Sequence, residues 1–246
     1  READVVPKVM HVQTSSEYWH RAGSLVHTDP SGTRDAVIPE DVRIYTIGGA
    51  QHGAGSGVPD AGPLVRNPTD YRPVLRALLL AMDAWVGEGI EPPASAYPRT
   101  ADGTLVGWRQ DESGWQALPG IRYPQVIHEP DFVDRGPEFA SHRRITLHPP
   151  RLIDHYTVLV PGFDETNNER GWLMLPSVAV PTGSFTGWYL RPRDIGAETE
   201  LLSLAGGYIP FARTDEERIA AGDARPSVEA RYPSFDDYLT QFEAHA

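Results

Sequence analysis

The apolar positions of this chain fall first into two short extended runs and then into one helical stripe. Val5-Val6-Pro7-Lys8-Val9-Met10-His11-Val12 is brief and β-branched, and predicts a strand that emerges into the polar segment Gln13-Thr14-Ser15-Ser16-Glu17. Val42-Arg43-Ile44-Tyr45-Thr46-Ile47 predicts a second strand, which stops abruptly at Gly48-Gly49-Ala50-Gln51-His52-Gly53. Between them, His27-Thr28-Asp29-Pro30-Ser31-Gly32 reads as a turn-rich connection. The clearest helix covers residues 70–86, where Leu75, Leu78, Leu79, Met82, Trp85 and Val86 recur on one face of a period of about 3.6 residues. Pro73 must then lie in the first turn, where its missing N–H costs little. Gly87, Gly89 and Pro92-Pro93 end the helix.

From residue 94 onward the pattern changes to short extended pieces broken by proline and glycine. Asp102-Gly103 followed by Thr104-Leu105-Val106 predicts a turn into a strand. Tyr156-Thr157-Val158-Leu159-Val160 and Trp172-Leu173-Met174-Leu175 flank the polar stretch 164–169 and predict a hairpin with a long loop. Thr214-Asp215-Glu216-Glu217 has the form of a capping box opening a short helix that Gly222 closes, and Ser234 caps a terminal helix. The change of pattern places a boundary near Pro92-Pro93, dividing the chain into residues 1–93 and 94–246.

Composition narrows the class. A chain of 246 residues, 40% hydrophobic and 23% charged, is long enough to bury a core, which argues against disorder. Its net charge of -12 and the lack of any Lys/Arg run disfavour a nucleic-acid partner. The longest apolar run, residues 77–82, falls far short of the ~20 residues of a membrane helix, so no membrane partner is expected. With no cysteine, disulfides, thiolate nucleophiles and Cys-ligated zinc are all ruled out, while the compartment stays open. The 23 glycines and 23 prolines predict many loops and short strands. The first residue is Arg1 rather than Met, with no charged-then-apolar signal segment, from which an upstream part is expected.

His52 is the strongest candidate for chemistry. It directly follows a strand, sits among Gly48, Gly49, Gly53, Gly55 and Gly57, and precedes the helix; a base at a strand's carboxyl end has a perch that both substrate and backbone can approach. The alternative is a loop histidine without a role. A histidine base works best with a carboxylate that fixes its tautomer. Glu17 follows the neighbouring strand, and parallel strands release their C-terminal loops on one edge, so the two are expected to meet. Asp29 is the alternative acid, and Glu17 is alternatively a solvated loop carboxylate capping a helix that begins at Tyr18. No serine has glycine both two before and two after it, so the nucleophile of a Gly-x-Ser-x-Gly elbow is absent. Ser56, in Gly53-Ala54-Gly55-Ser56-Gly57, comes nearest but follows His52 in a loop.

Several segments carry a resemblance: Val12-Gln13-Thr14-Ser15-Ser16-Glu17-Tyr18-Trp19, Val42-Arg43-Ile44-Tyr45 leading into Gly49-Ala50-Gln51-His52-Gly53, Asn67-Pro68-Thr69-Asp70-Tyr71-Arg72, Phe185-Thr186-Gly187-Trp188 and Tyr208-Ile209-Pro210-Phe211-Ala212-Arg213-Thr214. They resemble a family of large bacterial α/β-hydrolase-domain proteins, and the likeness covers the C-terminal part of such a protein. It implies an α/β fold in which residues 1–93 supply the last two core strands and the following helix of a hydrolase sheet, with Glu17 as acid and His52 as base. Residues 94–246 are then a loop-rich, β-containing accessory or lid region. It also implies a serine esterase whose nucleophile and oxyanion hole lie upstream of Arg1, so the expected partners are that N-terminal part, covalent or as a separate chain, and a small-molecule ester. The alternative is a non-catalytic, hydrolase-like binding or scaffold module.

No cofactor or metal is expected. His128-Glu129-Pro130-Asp131-Phe132-Val133-Asp134 concentrates a histidine and carboxylates, and residues 164–169 are acidic without the register of a calcium loop; acidic loops on an acidic protein are ordinarily solvated. His142, His148 and His155 lack the spacing of a zinc site. Trp108, Trp115, Trp172 and Trp188 are expected in the core, with a pocket lining as the alternative.

Overall fold

The structure, a computed structural model, describes residues 6–55 and 64–245. Strand β1 (Val9–Thr14) begins later than its apolar run suggests, because Pro7 has no N–H to give to a ladder; Val5 lies outside the described residues. It also runs on through Gln13 and Thr14, which are polar but buried, Gln13 donating to the Tyr18 hydroxyl at 3.1 Å. Helix α1 (Ser15–Arg21) follows without a connection, and a left-handed Ala22 ends it. Strand β2 (Val42–Ile47) covers the residues its pattern predicts and pairs in parallel with β1, Val9 opposite Val42 through to Thr14 opposite Ile47. Its other side is bridged by Ala96 at Tyr45 and by Leu173 at Ile47. The two-residue strand β3 (Val65–Arg66) leads towards helix α2 (Arg72–Gly87), which holds Pro73 in its first turn as required. Of the apolar stripe on α2, Leu78 and Trp85 are buried, with the Lys8 ammonium at 4.4 Å and the Arg43 guanidinium at 4.9 Å over the Trp85 ring. Leu75, Leu79 and Val86 are exposed, together with the neighbouring Leu80.

The remainder is a succession of short elements: β4 (Leu105–Gly107), α3 (Gln110–Ser113), β5 (Asp131–Asp134), α4 (Phe139–His142), β6 (Arg151–His155), β7 (Leu159–Pro161), α5 (Pro176–Ala179), β8 (Gly183–Thr186), β9 (Gly207–Pro210), α6 (Asp215–Ala221), α7 (Val228–Arg231) and α8 (Phe235–Glu243). Thr214 and Ser234 cap α6 and α8 as their sequences predict, accepting from the Glu217 and Asp237 amides. Strand β9 lies between β3 and β8, β4 pairs with β7 and β5 with β6, all antiparallel.

The hairpin expected between residues 156–160 and 172–175 does not form. Strand β7 pairs with β4, and Leu173 turns away to the edge of β2. Residues 164–169 instead close a compact turn bridged from Phe163 to Glu169, with Asp164 Oδ1 accepting from the amides of Thr166 at 2.8 Å and Asn168 at 3.1 Å. The turn is not a solvated acidic loop: Thr166, Asn167, Asn168 and Glu169 are all buried.

The main core is aromatic. Trp19, Trp115, Tyr123, Phe163 and Trp188 meet edge to face or tilted, with ring centroids from 5.0 Å (Trp115 to Phe163) to 6.3 Å (Trp19 to Trp188). Leu105, Val158, Val160 and Ile209 close around them. Residues on both sides of Pro92-Pro93 thus share one core, with α1 packed against β7.

Candidate active site

The site grows from the parallel pairing of β1 and β2, whose C-terminal ends release their chains at the same edge. At the end of β1 the chain turns at once into α1, and Glu17 becomes the third helical residue. Its Oε2 accepts from both the amide and the hydroxyl of Thr14 at 2.6 Å, one half of a capping box. That fixes the carboxylate, and its other oxygen, Oε1, contacts His52 Nδ1 in the loop after β2. One oxygen of Glu17 thus closes the capping box of a helix that begins at Ser15, and the other faces His52. The His52 side chain is 56% exposed and that of Glu17 19%, so the imidazole stands at an open surface on a sheltered carboxylate.

The loop carrying His52 is pinned at four points. The Tyr71 hydroxyl donates to the His52 carbonyl, the Ser16 amide donates to the Ala50 carbonyl at 3.3 Å, and the Gly206 amide donates to Gln51 Oε1 at 3.0 Å. The fourth is Gly49, whose φ of +62° only glycine adopts at low cost. Its carbonyl accepts from Asn67 Nδ2 at 2.9 Å and Thr69 Oγ1 at 3.2 Å, and its amide donates to Glu169 Oε2 at 3.2 Å. The same Glu169 oxygen accepts from the Ser15 hydroxyl at the start of α1. Burial pushes the Glu169 carboxyl up to about 7, against the opposing hydrogen bonds from Ser15 and Gly49. Trp19 lies beside the carboxylate, but among the described residues neither its indole nitrogen nor Glu169 Oε1 makes a hydrogen bond.

Asp29, the alternative acid, is occupied within its own turn. Its oxygens accept from the Thr33 and Arg34 amides at 2.8 and 3.1 Å and from the Ser31 hydroxyl at 2.9 Å. Partial desolvation pushes its pKa up, and the bonds from Ser31, Arg34 and Thr33 overcome that and bring it to about 2. Of the two candidate acids, Glu17 is the one in contact with His52. Ser56 lies outside the described residues. Ser15 and Ser16, next to Glu17, are buried and donate to Glu169 and to the Gly187 carbonyl.

The acidic and histidine-rich segments resolve into pairs. Asp131 meets His155 at 3.2 Å and Asp134 meets Arg151 at 2.9 Å across β5 and β6, while Glu129 accepts from Trp108 Nε1 at 3.3 Å. His142 lies against the Ser141 hydroxyl at 2.8 Å. Trp115 and Trp188 are core residues; Trp108 and Trp172 are half-buried. His20 and His27, which the sequence pattern did not single out, are buried, and desolvation pushes both down to about 4, leaving them neutral. Sequence reasoning also missed Glu169, Asn67, Thr69 and Tyr71. Asn67, Thr69 and Tyr71 stand in a segment quoted above for its resemblance alone, whereas nothing local to residues 164–169 points to the far end of β2.

A family model described as an alpha/beta hydrolase domain matches residues 1–246. No curated protein and no solved structure matches the chain.

Proposed function

The chain belongs to the alpha/beta hydrolase domain family, and we propose that Glu17 and His52 are the acid and base of a serine hydrolase acting on carboxylic esters. One observation carries the reading: Glu17 Oε1 holds His52 Nδ1 on an exposed imidazole at the shared edge of two parallel strands. With Nδ1 taken by the carboxylate, Nε2 is the nitrogen left for proton transfer, and the carboxylate stabilises the imidazolium that forms. A serine hydroxyl attacks the ester carbonyl as His52 Nε2 takes its proton. The tetrahedral intermediate then expels the alkoxide, which receives that proton, and leaves an acyl-serine. Water, deprotonated by the same nitrogen, attacks the acyl-serine; the carboxylic acid leaves and the serine recovers its proton.

The serine belongs to an upstream part of the same hydrolase. The absence of a Gly-x-Ser-x-Gly elbow supports this, as do the inward commitments of Ser15 and Ser16. In this reading β1 and β2 are the last two core strands of a larger sheet and α2 packs back on it, while residues 94–246 form the accessory layer. The uncovered leucines of α2 support that arrangement. The second reading, a hydrolase-like binding or scaffold module, is favoured by the same missing elbow.

Replacing the base tests the proposal. In the complete protein, His52→Ala is expected to reduce hydrolysis of a p-nitrophenyl ester by roughly 10³-fold or more with little loss of thermal stability. Near-normal turnover in a folded variant would remove His52 from the mechanism.

A further inference from the structure

We propose that Glu169 is a positioning residue: its oxygen Oε2 ties the first residue of α1 to the turn after β2 and so sets how Glu17 meets His52. The inference rests on the reading of Glu17 and His52 as the acid and base. Ser15 stands two residues before Glu17 and Gly49 three before His52, so the elements bearing the two side chains are both hung on one carboxylate oxygen. Glu169 is brought there from the compact turn after β7, with the Phe163 to Glu169 bridge and Asp164 holding that turn in shape.

The choice of residue is informative. Glu169 is 2% exposed, and the polar groups recorded acting on it, Ser15, Tyr18 and Trp19 from α1 and Gly49 from the turn, carry no positive charge. A carboxylate in such a place is unfavourable on its own. What it provides is an acceptor able to take two donors on one oxygen, one from α1 and one from the turn after β2, and among the described residues no other acid is buried. A packed apolar side chain fills the volume but leaves the Ser15 hydroxyl and Gly49 amide without a partner. Both are free to shift, and with them the angle between Glu17 and His52. Glu169→Gln, by contrast, retains a carbonyl oxygen in the same position and holds both donors.

The test compares Glu169→Leu with Glu169→Gln in the complete protein, using a p-nitrophenyl ester and the low-field proton resonance of His52 Nδ1 bound to Glu17. Glu169→Leu is expected to lower kcat by roughly tenfold or more with KM little changed and to abolish the Nδ1 resonance. Glu169→Gln is expected to keep the resonance and stay within about threefold of the parent kcat. If Glu169→Leu does not fold, Ser15→Ala, which removes one donor and leaves the carboxylate in place, is expected to show the same kcat loss at constant KM. Survival of the resonance, or of the parent kcat, in the variant that cuts the tie overturns the proposal. His52→Ala, run alongside, separates the two failures. If it leaves turnover intact, the reading of the base has failed, and the resonance alone then decides whether Glu169 sets the Glu17 to His52 contact.

Discussion

Glu17 turns one oxygen to Thr14 and the other to His52, so the proposed acid role is separable from capping. Glu17→Gln keeps an acceptor for Thr14 but removes the charge that faces His52 Nδ1. It is expected to slow ester turnover by roughly 10³-fold, while Asp29→Asn, confined to its own turn, leaves turnover unchanged. The reverse result would transfer the acid role to Asp29. Glu169 makes a prediction about stability. Its pKa is raised from 4.5 to about 7 in the folded chain, so the native state binds the proton more tightly than the unfolded chain does. The associated stability is fully present below about pH 4.5 and is lost as pH rises through about 7. Glu169→Gln cannot titrate, so its stability relative to the parent should increase between pH 5 and 8, by about 3 kcal/mol at most. Urea unfolding across that range checks it, and parallel stability curves for the two proteins would contradict the shift.

At the scale of elements, the turn after β2 decides where His52 stands. A Cβ on Gly49 would approach Val178 Cγ1 to 2.7 Å and would sit on a φ of +62°, whereas a Cβ on Gly53 meets nothing within 4 Å among the described residues. Gly49→Ala is therefore expected to destabilise the protein by about 1–3 kcal/mol and to slow turnover, with Gly53→Ala neutral in thermal melts. Equal melting temperatures for the two would show that the turn is not constrained. This turn also marks how far the sequence could be read. The β-branched run 42–47, the period of α2 and the caps at Thr214 and Ser234 are local signals, and each element formed where its own residues specify it. The meeting of Glu17 with His52 was legible as well, because parallel pairing of two adjacent strands brings their ends together. What failed was non-local. Residues 156–160 and 172–175 have the texture of a hairpin, but β4 and the edge of β2 compete for them and win. Glu169 was invisible for the same reason: an acidic turn reads as solvated until Ser15 and Gly49 are seen to bury it.

For the molecule as a whole, the balance of covered and uncovered surface points outward. The aromatic core around Trp19, Trp115 and Trp188 is well enclosed, yet Leu79, Leu80 and Val86 of α2 are 69%, 72% and 64% exposed. Among the described residues β1 is an edge strand with only β2 beside it, and a two-stranded parallel ribbon is marginal on its own. If the proposed upstream part completes the sheet, the chain by itself is expected to self-associate and co-expression with that part to suppress this; sedimentation showing a soluble monomer without it would count against the larger sheet. In the proposed mechanism His52, seated on Glu17, activates a serine outside these 246 residues. Labelling the complete protein with a serine-reactive phosphonate and mapping the adduct by mass spectrometry tests it most directly. The adduct is expected on an upstream serine and to form far more slowly in His52→Ala; an adduct within these residues, a rate indifferent to His52, or no adduct at all would remove His52 from the mechanism.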